Sequence, residues 1–305
     1  DWQVFKDYYF NLLGKLTSMA HFKQNRFKIK AKILLLDSTT ISLCLSLFDW
    51  ARFRKKKGAI KLHTLLDYDG CLPVYMNMTD GKVHDARAAK EINLPKDAVV
   101  VADRAYVDFV TLDRWAKSGS YFVVRLKTSV KFNRLNEKPL PEDRHHHILV
   151  DEYINLSEEK TKAKYPGKLR RVVVWDEENQ QTIELITNQF SWTANTISEL
   201  YKARWEIEIF FKDIKQLLKI KSFLGTSANA VLIQIWTALI TILILKYLKA
   251  CSKFNWQMSN MVAFLRLNLL VKFDLRKLFD DPFEHPPDKY KIQDPDQLVL
   301  FSWGD

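Results

Sequence analysis

Apolar and polar positions divide the chain into readable pieces. The opening stretch, DWQVFKDYYFNLLGKL, repeats its apolar residues at helical spacing and predicts an amphipathic helix with a basic connector to residue 30. KILLLDSTT is an apolar run that stops at Asp37, as a buried strand would. ISLCLSLF alternates strictly, with Ile41, Leu43, Leu45 and Leu47 on one face, and predicts a strand or strand extension. In AIKLHTLLDYDGCLPVYMNM the pair Asp69-Gly70 separates two apolar runs, a hairpin signal. TDGKVHDARAAKEI predicts a turn and a short helix. DAVVVADRAY is a further strand, ending at Asp103, VDFVTLDRWAKSG a helix closed by Gly119, and YFVVRLKTS another strand.

From 128 to 190 the chain turns polar, with β-like pieces such as LRRVVVW and TIELIT. Helices resume near Thr196 and run to about residue 270, ahead of a Pro- and Asp-rich tail. The order of strands and helices is that of a ribonuclease H-like α/β core with a mixed sheet, interrupted by a mostly β insertion and flanked by helices. The division expected is an N-terminal helical segment over 1–30, a catalytic domain over 31–127 and 191–275, the insertion over 128–190, and an extended tail over 276–305.

Composition narrows the class. Of 305 residues 47% are hydrophobic and 13% aromatic, which excludes a disordered chain. A formal net charge of +11 favours a polyanionic partner. Cys44, Cys71 and Cys251 are scattered without metal-like spacing and fit a reducing cytoplasm. The run VLIQIWTALITILIL, Val231 to Leu245, is short of the ~20 residues of a membrane span and reads as a buried core helix.

Candidate chemistry lies in YKARWEIEIFFKDIK. At about 100° per residue, Tyr201, Arg204, Glu208 and Lys215 fall within roughly 60° of one another. Ile207, Phe210, Ile214 and Leu217 gather on the opposite side. A solvated face with spaced ion pairs is the ordinary reading of such a stripe. Asp37 and Asp103 give it another: both end apolar strands, where ligand sites gather in open α/β sheets. Either aspartate alone could cap a following helix. Two of them with Glu208 supply three carboxylates, whose repulsion is relieved by hard cations; Mg²⁺ or Mn²⁺ suit such oxygens. Two ions about 4 Å apart would support phosphodiester cleavage. Arg204 and Lys215 would then hold phosphates, and Trp205 would stack on an unpaired base.

The spacing Tyr201-x2-Arg204-x3-Glu208-x6-Lys215 resembles the Y-x2-R-x3-E-x6-K signature of DDE transposases from bacterial insertion-sequence family 4. DSTTISLCLSLFDWARFRKKKGAIKLHTLLD, TDGKVHDAR, ADRAY and KSFLGTSANAVLIQIWTALI resemble the same family, over roughly residues 1–275. The resemblance implies that Asp37, Asp103 and Glu208 are a catalytic metal-binding triad for two Mg²⁺ or Mn²⁺ ions. It implies that Tyr201, Arg204, Lys215 and Arg104 contact DNA. The implied activity is cleavage of insertion-element ends and joining of the 3′-hydroxyl to target DNA, through a hairpin intermediate. The implied setting is a homodimer on double-stranded DNA, away from membranes, in the cytoplasm at the bacterial nucleoid. Members of the family begin with a terminal-repeat-binding region, and this chain is expected to start inside or after it. The alternative is a non-catalytic, domesticated or truncated DNA-binding derivative.

Remaining features have plainer readings. The basic run Arg52, Arg54, Lys55, Lys56 and Lys57 is expected at the DNA backbone. His145, His146 and His147 point apart and read as solvated loop. His63 and His84 receive no role, and Trp175 and Trp192 are expected in the core.

Overall fold

The computed structural model describes residues 1–22, 27, 29–43, 52–54, 57–140, 147–218, 223–268, 270, 272 and 274–282. Within them the chain forms α1 (Trp2–Ser18), β1 (Ile33–Leu43), β2 (Arg52–Arg54), β3 (Lys57–Asp67), β4 (Leu72–Asp80), α2 (Asp85–Ala89) and β5 (Val99–Ala102). There follow α3 (Phe109–Lys117), β6 (Tyr121–Arg125), β7 (Phe132–Glu137), β8 (Ile148–Leu156) and α4 (Glu159–Lys164). The last elements are β9 (Leu169–Asp176), β10 (Gln181–Thr187), α5 (Ala194–Ala203), α6 (Trp205–Leu218), α7 (Ala228–Cys251), α8 (Met258–Asn268) and α9 (Leu275–Asp280).

The strands join in one mixed sheet ordered β2-β3-β1-β5-β6-β10-β9-β8-β7, with β4 also paired to β3. β1 runs antiparallel to β3 and parallel to β5, and β5 runs parallel to β6. The expected hairpin is β3–β4; the left-handed residue of its turn is Cys71, at φ 48°, one beyond Gly70. β7 to β10, from the polar stretch, continue the sheet antiparallel beyond β6.

Alternation along the strands divides the apolar side chains between two faces. Ile33, Leu35, Val99, Val101 and Val123 pack with Tyr9 and Leu13 of α1, Ile197 and Leu200 of α5, and Ile207, Phe210 and Ile214 of α6. Leu34, Leu36, Val100, Ala102, Phe122 and Val124 pack on the other side with Ala89 of α2 and Leu112 and Trp115 of α3. α7 is long and apolar enough to cross a bilayer by length and composition. Its residues Val231, Ile235, Trp236, Leu239, Ile242 and Leu243 are nonetheless buried in the first cluster.

Three expectations need correction. Asp37 does not end its strand: β1 runs on to Leu43 and takes in the start of the expected extension from Ile41, because β3 continues to pair with it as far as Leu43↔Gly58. The stretch from Tyr201 to Lys215 is two helices, since α5 ends at Ala203 and α6 begins at Trp205. At the junction Arg204 N–H donates to Tyr201 O and Ile207 N–H to Arg204 O, both three residues back, which tightens the turn. The tail expected to be extended from 276 begins inside helix α9, which Asp274 caps through Arg276 N–H and Lys277 N–H; 283–305 lie outside the described residues. So do Leu45 and Leu47, His145 and His146, and the side chains of Leu217 and of the basic run 52–57. His147 pairs with Glu177 at 3.3 Å, and Trp192 packs half-buried beside Tyr121.

The chain divides into two compact units, Asp1–Leu243 and Ile244–Asp305. In the second, Trp256 stacks edge-on against Phe279, and its indole N–H and the Ser252 hydroxyl both donate to Phe279 O.

A buried ion pair ties β8 to β9. Arg170 Nε and Nη2 donate to Asp151 Oδ1 and Oδ2 at 2.8 and 2.7 Å, with the side chains 1% and 3% exposed. Nη1 reaches Trp192 O, just ahead of α5. Arg170→Ala would leave a carboxylate buried without its cation, and should cost about 3–5 kcal/mol of stability, read from urea unfolding. A loss below about 1 kcal/mol, the value of an exposed pair, would contradict this burial.

Candidate active site

The parallel ladder between β1 and β5 is short, Ile33↔Val99 to Leu36↔Ala102. The next residue on each strand is an aspartate, so Asp37 and Asp103 come side by side where the ladder ends. The odd-numbered alternation of Ile33 and Leu35, and of Val99 and Val101, aims both toward the α5–α6 side. Asp103 begins the 3-10 turn Arg104–Tyr106, yet its side chain makes no capping hydrogen bond. Capping therefore does not account for it.

Arg204 joins this pair to α6. Its Nη1 donates to Asp37 Oδ2 at 2.8 Å and its Nη2 to Glu208 Oε1 at 2.6 Å. The side chain is 16% exposed. Its Nε is buried without a hydrogen-bond partner, and its guanidinium lies 5.8 Å from the Tyr201 ring centre. The remaining Asp37 oxygen, Oδ1, accepts the Ser38 N–H at 2.8 Å.

Electrostatics identify the third member. Burial pushes the Asp37 carboxyl up from 3.8 to about 6, against the pull of the Ser38 N–H and Arg204; the charges of Glu208 and Asp103 add to the rise. Burial also raises the Tyr201 phenol, with the Asp103 charge adding to the rise and Arg204 opposing it. Asp37, Asp103, Glu208, Arg204 and Tyr201 thus form one electrostatic unit drawn from β1, the end of β5, α5 and α6.

The other expected residues stand around it. Arg104 is exposed on the turn after Asp103, Lys215 is exposed farther along α6, and Trp205 is 62% exposed beside Arg204. Sequence reasoning passed over Ser38, Lys61 and Asp85. The Ser38 hydroxyl donates to Asp85 Oδ1 at 2.6 Å, and Lys61 Nζ donates to Asp85 Oδ2 at 2.9 Å. Their signal lay in the stretches DSTT, AIKLH and TDGKVHDAR, already singled out as a group but not residue by residue.

The donor set is all carboxylate oxygen, which suits a hard divalent cation. Among the described residues no three His, Cys, Asp or Glu side chains are close enough together to share an ion. The positive charge between Asp37 and Glu208 is the guanidinium, so a metal ion held by both would take the place of Arg204. A buried carboxylate with two like-charged neighbours is the electrostatic setting that such an ion relieves.

Comparison with known proteins finds relatives over most of the chain. The family model described as "Transposase DDE domain" matches residues 28–244. A protein of Geobacillus stearothermophilus named as the transposase of insertion sequence element IS5377 is 27% identical over 267 residues, covering 86% of this chain and 70% of that protein. A protein of Sinorhizobium fredii named as transposase y4zB is 31% identical over 286 residues, covering 93% and 77%. A piggyBac transposase synaptic complex with hairpin DNA, solved by cryo-electron microscopy, has a TM-score of 0.43 at 11% identity, covering 94% of this chain and 66% of that one; so loose a likeness bears on neither fold nor site.

Asp37 makes the metal-free fold sensitive to pH. Its carboxyl holds a proton to about pH 6 in the fold but only to 3.8 when unfolded. Between these values the native state binds more protons, so its contribution to stability falls as pH rises and stays low above pH 6. A rise of about two units corresponds to about 3 kcal/mol as an upper figure. With EDTA present, Asp37→Asn should therefore be more stable than wild type by about 1–3 kcal/mol at pH 7.5, with the gap closing below pH 4. An asparagine variant less stable than wild type at pH 7.5 would refute the assigned burial.

Proposed function

The chain belongs to the DDE-domain transposases of insertion sequences, and on that premise we propose that it cuts the ends of a DNA element and joins the freed 3′-hydroxyl to target DNA. The observation that carries this reading is the meeting of Asp37 and Glu208 at one arginine, with Asp103 beside Asp37 where the β1–β5 ladder ends. Helix packing alone has no use for that arrangement.

The strand order supports a ribonuclease H-like core. β4-β3-β1 form an antiparallel meander, and β5 and β6 add in parallel beside β1. In such an order β1 at Asp37 lies beside the carboxyl end of β5 within the sheet, and open α/β sheets collect ligands at the carboxyl ends of their strands.

Asp37, Asp103 and Glu208 would hold two Mg²⁺ or Mn²⁺ ions. Bound there, the ions would supply an activated oxygen nucleophile and stabilisation of the leaving oxygen. Arg204 has two roles in this reading. Without DNA its charge offsets the carboxylates; with DNA its planar fork suits a phosphate. Tyr201 backs the guanidinium with its ring, at the edge of cation–π distance. Arg104 and Lys215, both exposed, would contact flanking phosphates, and Trp205 would offer an apolar plane to an unpaired base. The net charge of +11 suits a polyanionic partner, and two copies of the chain would bridge the two element ends.

Glu208→Gln separates chemistry from binding. An amide keeps the size and still accepts from Arg204, but it is a poor ligand for a hard cation. The variant should bind end DNA at least as tightly as wild type, because a repelling charge is gone. Strand cleavage in Mg²⁺ should fall by orders of magnitude, equivalent to about 4 kcal/mol or more in the barrier. Gel-shift and single-turnover cleavage assays on labelled ends check both. Cleavage within a few-fold of wild type would refute the catalytic assignment of Glu208, and no cleavage by either protein would favour the non-catalytic DNA-binding alternative.

A further inference from the structure

The carboxylates stand on one face of the sheet; a polar cluster stands directly behind them on the other. Successive strand residues point to opposite faces, so Ser38 is aimed away from Asp37, toward α2 and the turn that follows β5. There its hydroxyl donates to Asp85 Oδ1 at 2.6 Å. Lys61 Nζ donates to the other Asp85 oxygen at 2.9 Å and lies 3.4 Å from Val83 O. His63, paired across the ladder from Ser38, is fully buried, with Nδ1 3.5 Å from Asp85 Oδ1 and Nε2 3.0 Å from the Thr79 hydroxyl. The Tyr106 hydroxyl, three residues after Asp103, is buried near Ser38 and Asp85 without a hydrogen bond of good geometry.

Position along β1 gives this cluster its consequence. The ladder to β5 ends at Leu36↔Ala102, so at Asp37 and Ser38 the strand has a ladder partner only on its β3 side. Asp37 Oδ1 is held by the Ser38 N–H. The Ser38 peptide is in turn tied through its own hydroxyl to Asp85, whose second oxygen is fixed by Lys61. The chain of bonds runs from Lys61 through Asp85 and Ser38 to Asp37.

We propose that Asp85, clamped by Lys61, is a positioning residue for Asp37: from the far side of the sheet it holds Ser38 and so fixes the N–H that orients the Asp37 carboxylate. The proposal rests on the reading of Asp37 as a catalytic carboxylate. A plain docking role for Asp85, fastening α2 to β3 through Lys61, predicts something different. Ser38→Ala leaves the Asp85–Lys61 pair and the Ser38 N–H in place, and removes only the link between them.

The test uses the 305-residue chain, a duplex carrying the ends of its element, and Mg²⁺, with Ser38→Ala, Ser38→Thr, Asp85→Asn, the Ser38→Ala/Asp85→Asn double variant, and Asp37→Asn as reference. Cleavage at saturating DNA should fall about tenfold or more in Ser38→Ala, the scale on which loss of an outer partner weakens a metal site. Mn²⁺ binding followed by electron paramagnetic resonance should weaken in parallel, while the end-DNA Kd and the melting temperature stay near wild type. Ser38→Thr restores the hydroxyl and should recover activity. The double variant should be no worse than the worse single one, because both cut the same chain of bonds. If Asp85→Asn fails to fold, the Ala and Thr pair at Ser38 decides the matter alone. Cleavage and Mn²⁺ binding by Ser38→Ala within about twofold of wild type, well short of an outer-partner effect, would overturn the positioning role and leave the catalytic assignment standing. Wild-type cleavage by Asp37→Asn would overturn that assignment, and the positioning role with it.

Discussion

A single guanidinium, that of Arg204, lies between two carboxylates brought from distant parts of the chain, with a third, Asp103, beside them where the β1–β5 ladder ends. Arg204 bonds Asp37 through one nitrogen and Glu208 through the other. At 16% exposure it is screened less than a surface pair would be. The compensation is incomplete, since burial still holds the Asp37 carboxyl near pH 6. The contact sits at a break in the helical backbone. The helix carrying Tyr201 ends at Ala203, and a new one starts at Trp205, so that the residue between them sits in a tight turn over Asp37. A stripe that looks decorative on a helical wheel is a bridge between two helices and a strand.

The sheet supplies the other half of the constraint. A parallel ladder of four registered pairs brings two aspartates to the same level and then ends. Beyond it, β1 is supported by β3 on one side and by side-chain bonds on the other. Apolar packing decides which way each aspartate points, because Ile33, Leu35, Val99 and Val101 are locked into the cluster under α1, α5 and α6. The site is thus strained electrostatically and anchored sterically, the combination expected where stability has been exchanged for chemistry.

Much of this was legible in the residues and some was not. Strand periodicity located β1, β5 and β6, the Asp69-Gly70 pair located the β3–β4 hairpin, and Gly119 at φ 80° closes α3. On α6 the apolar side read from the spacing, Ile207, Phe210 and Ile214, is buried, while Tyr201 and Arg204 of the charged stripe lie ahead of that helix. The extension of β1 through Ile41 to Leu43 was legible from its alternation, but Asp37 was misread as a strand end because a charged residue usually ends an apolar run; here it sits within the strand and is met by a cation from 167 residues away. The helix break at Arg204 left no mark in the sequence, as it contains neither proline nor glycine. Asp85 and Ser38 were hidden for a related reason: nothing local distinguishes a bonded Ser–Asp–Lys chain from three ordinary polar residues. Its members come together only once β1, β3 and α2 are assembled.

The central claim is that Asp37, Asp103 and Glu208 are one site whose charge Arg204 neutralises until a stronger cation arrives. It is tested most directly by a crystal structure of the chain with element-end DNA and Mn²⁺, read from the anomalous signal. The account predicts manganese within bonding distance, about 2.1–2.2 Å, of oxygens from all three carboxylates. It also predicts that the Arg204 guanidinium has left the gap between Asp37 and Glu208 for a DNA phosphate. Manganese bound elsewhere, or Arg204 still bridging the two carboxylates with DNA in place, would contradict it.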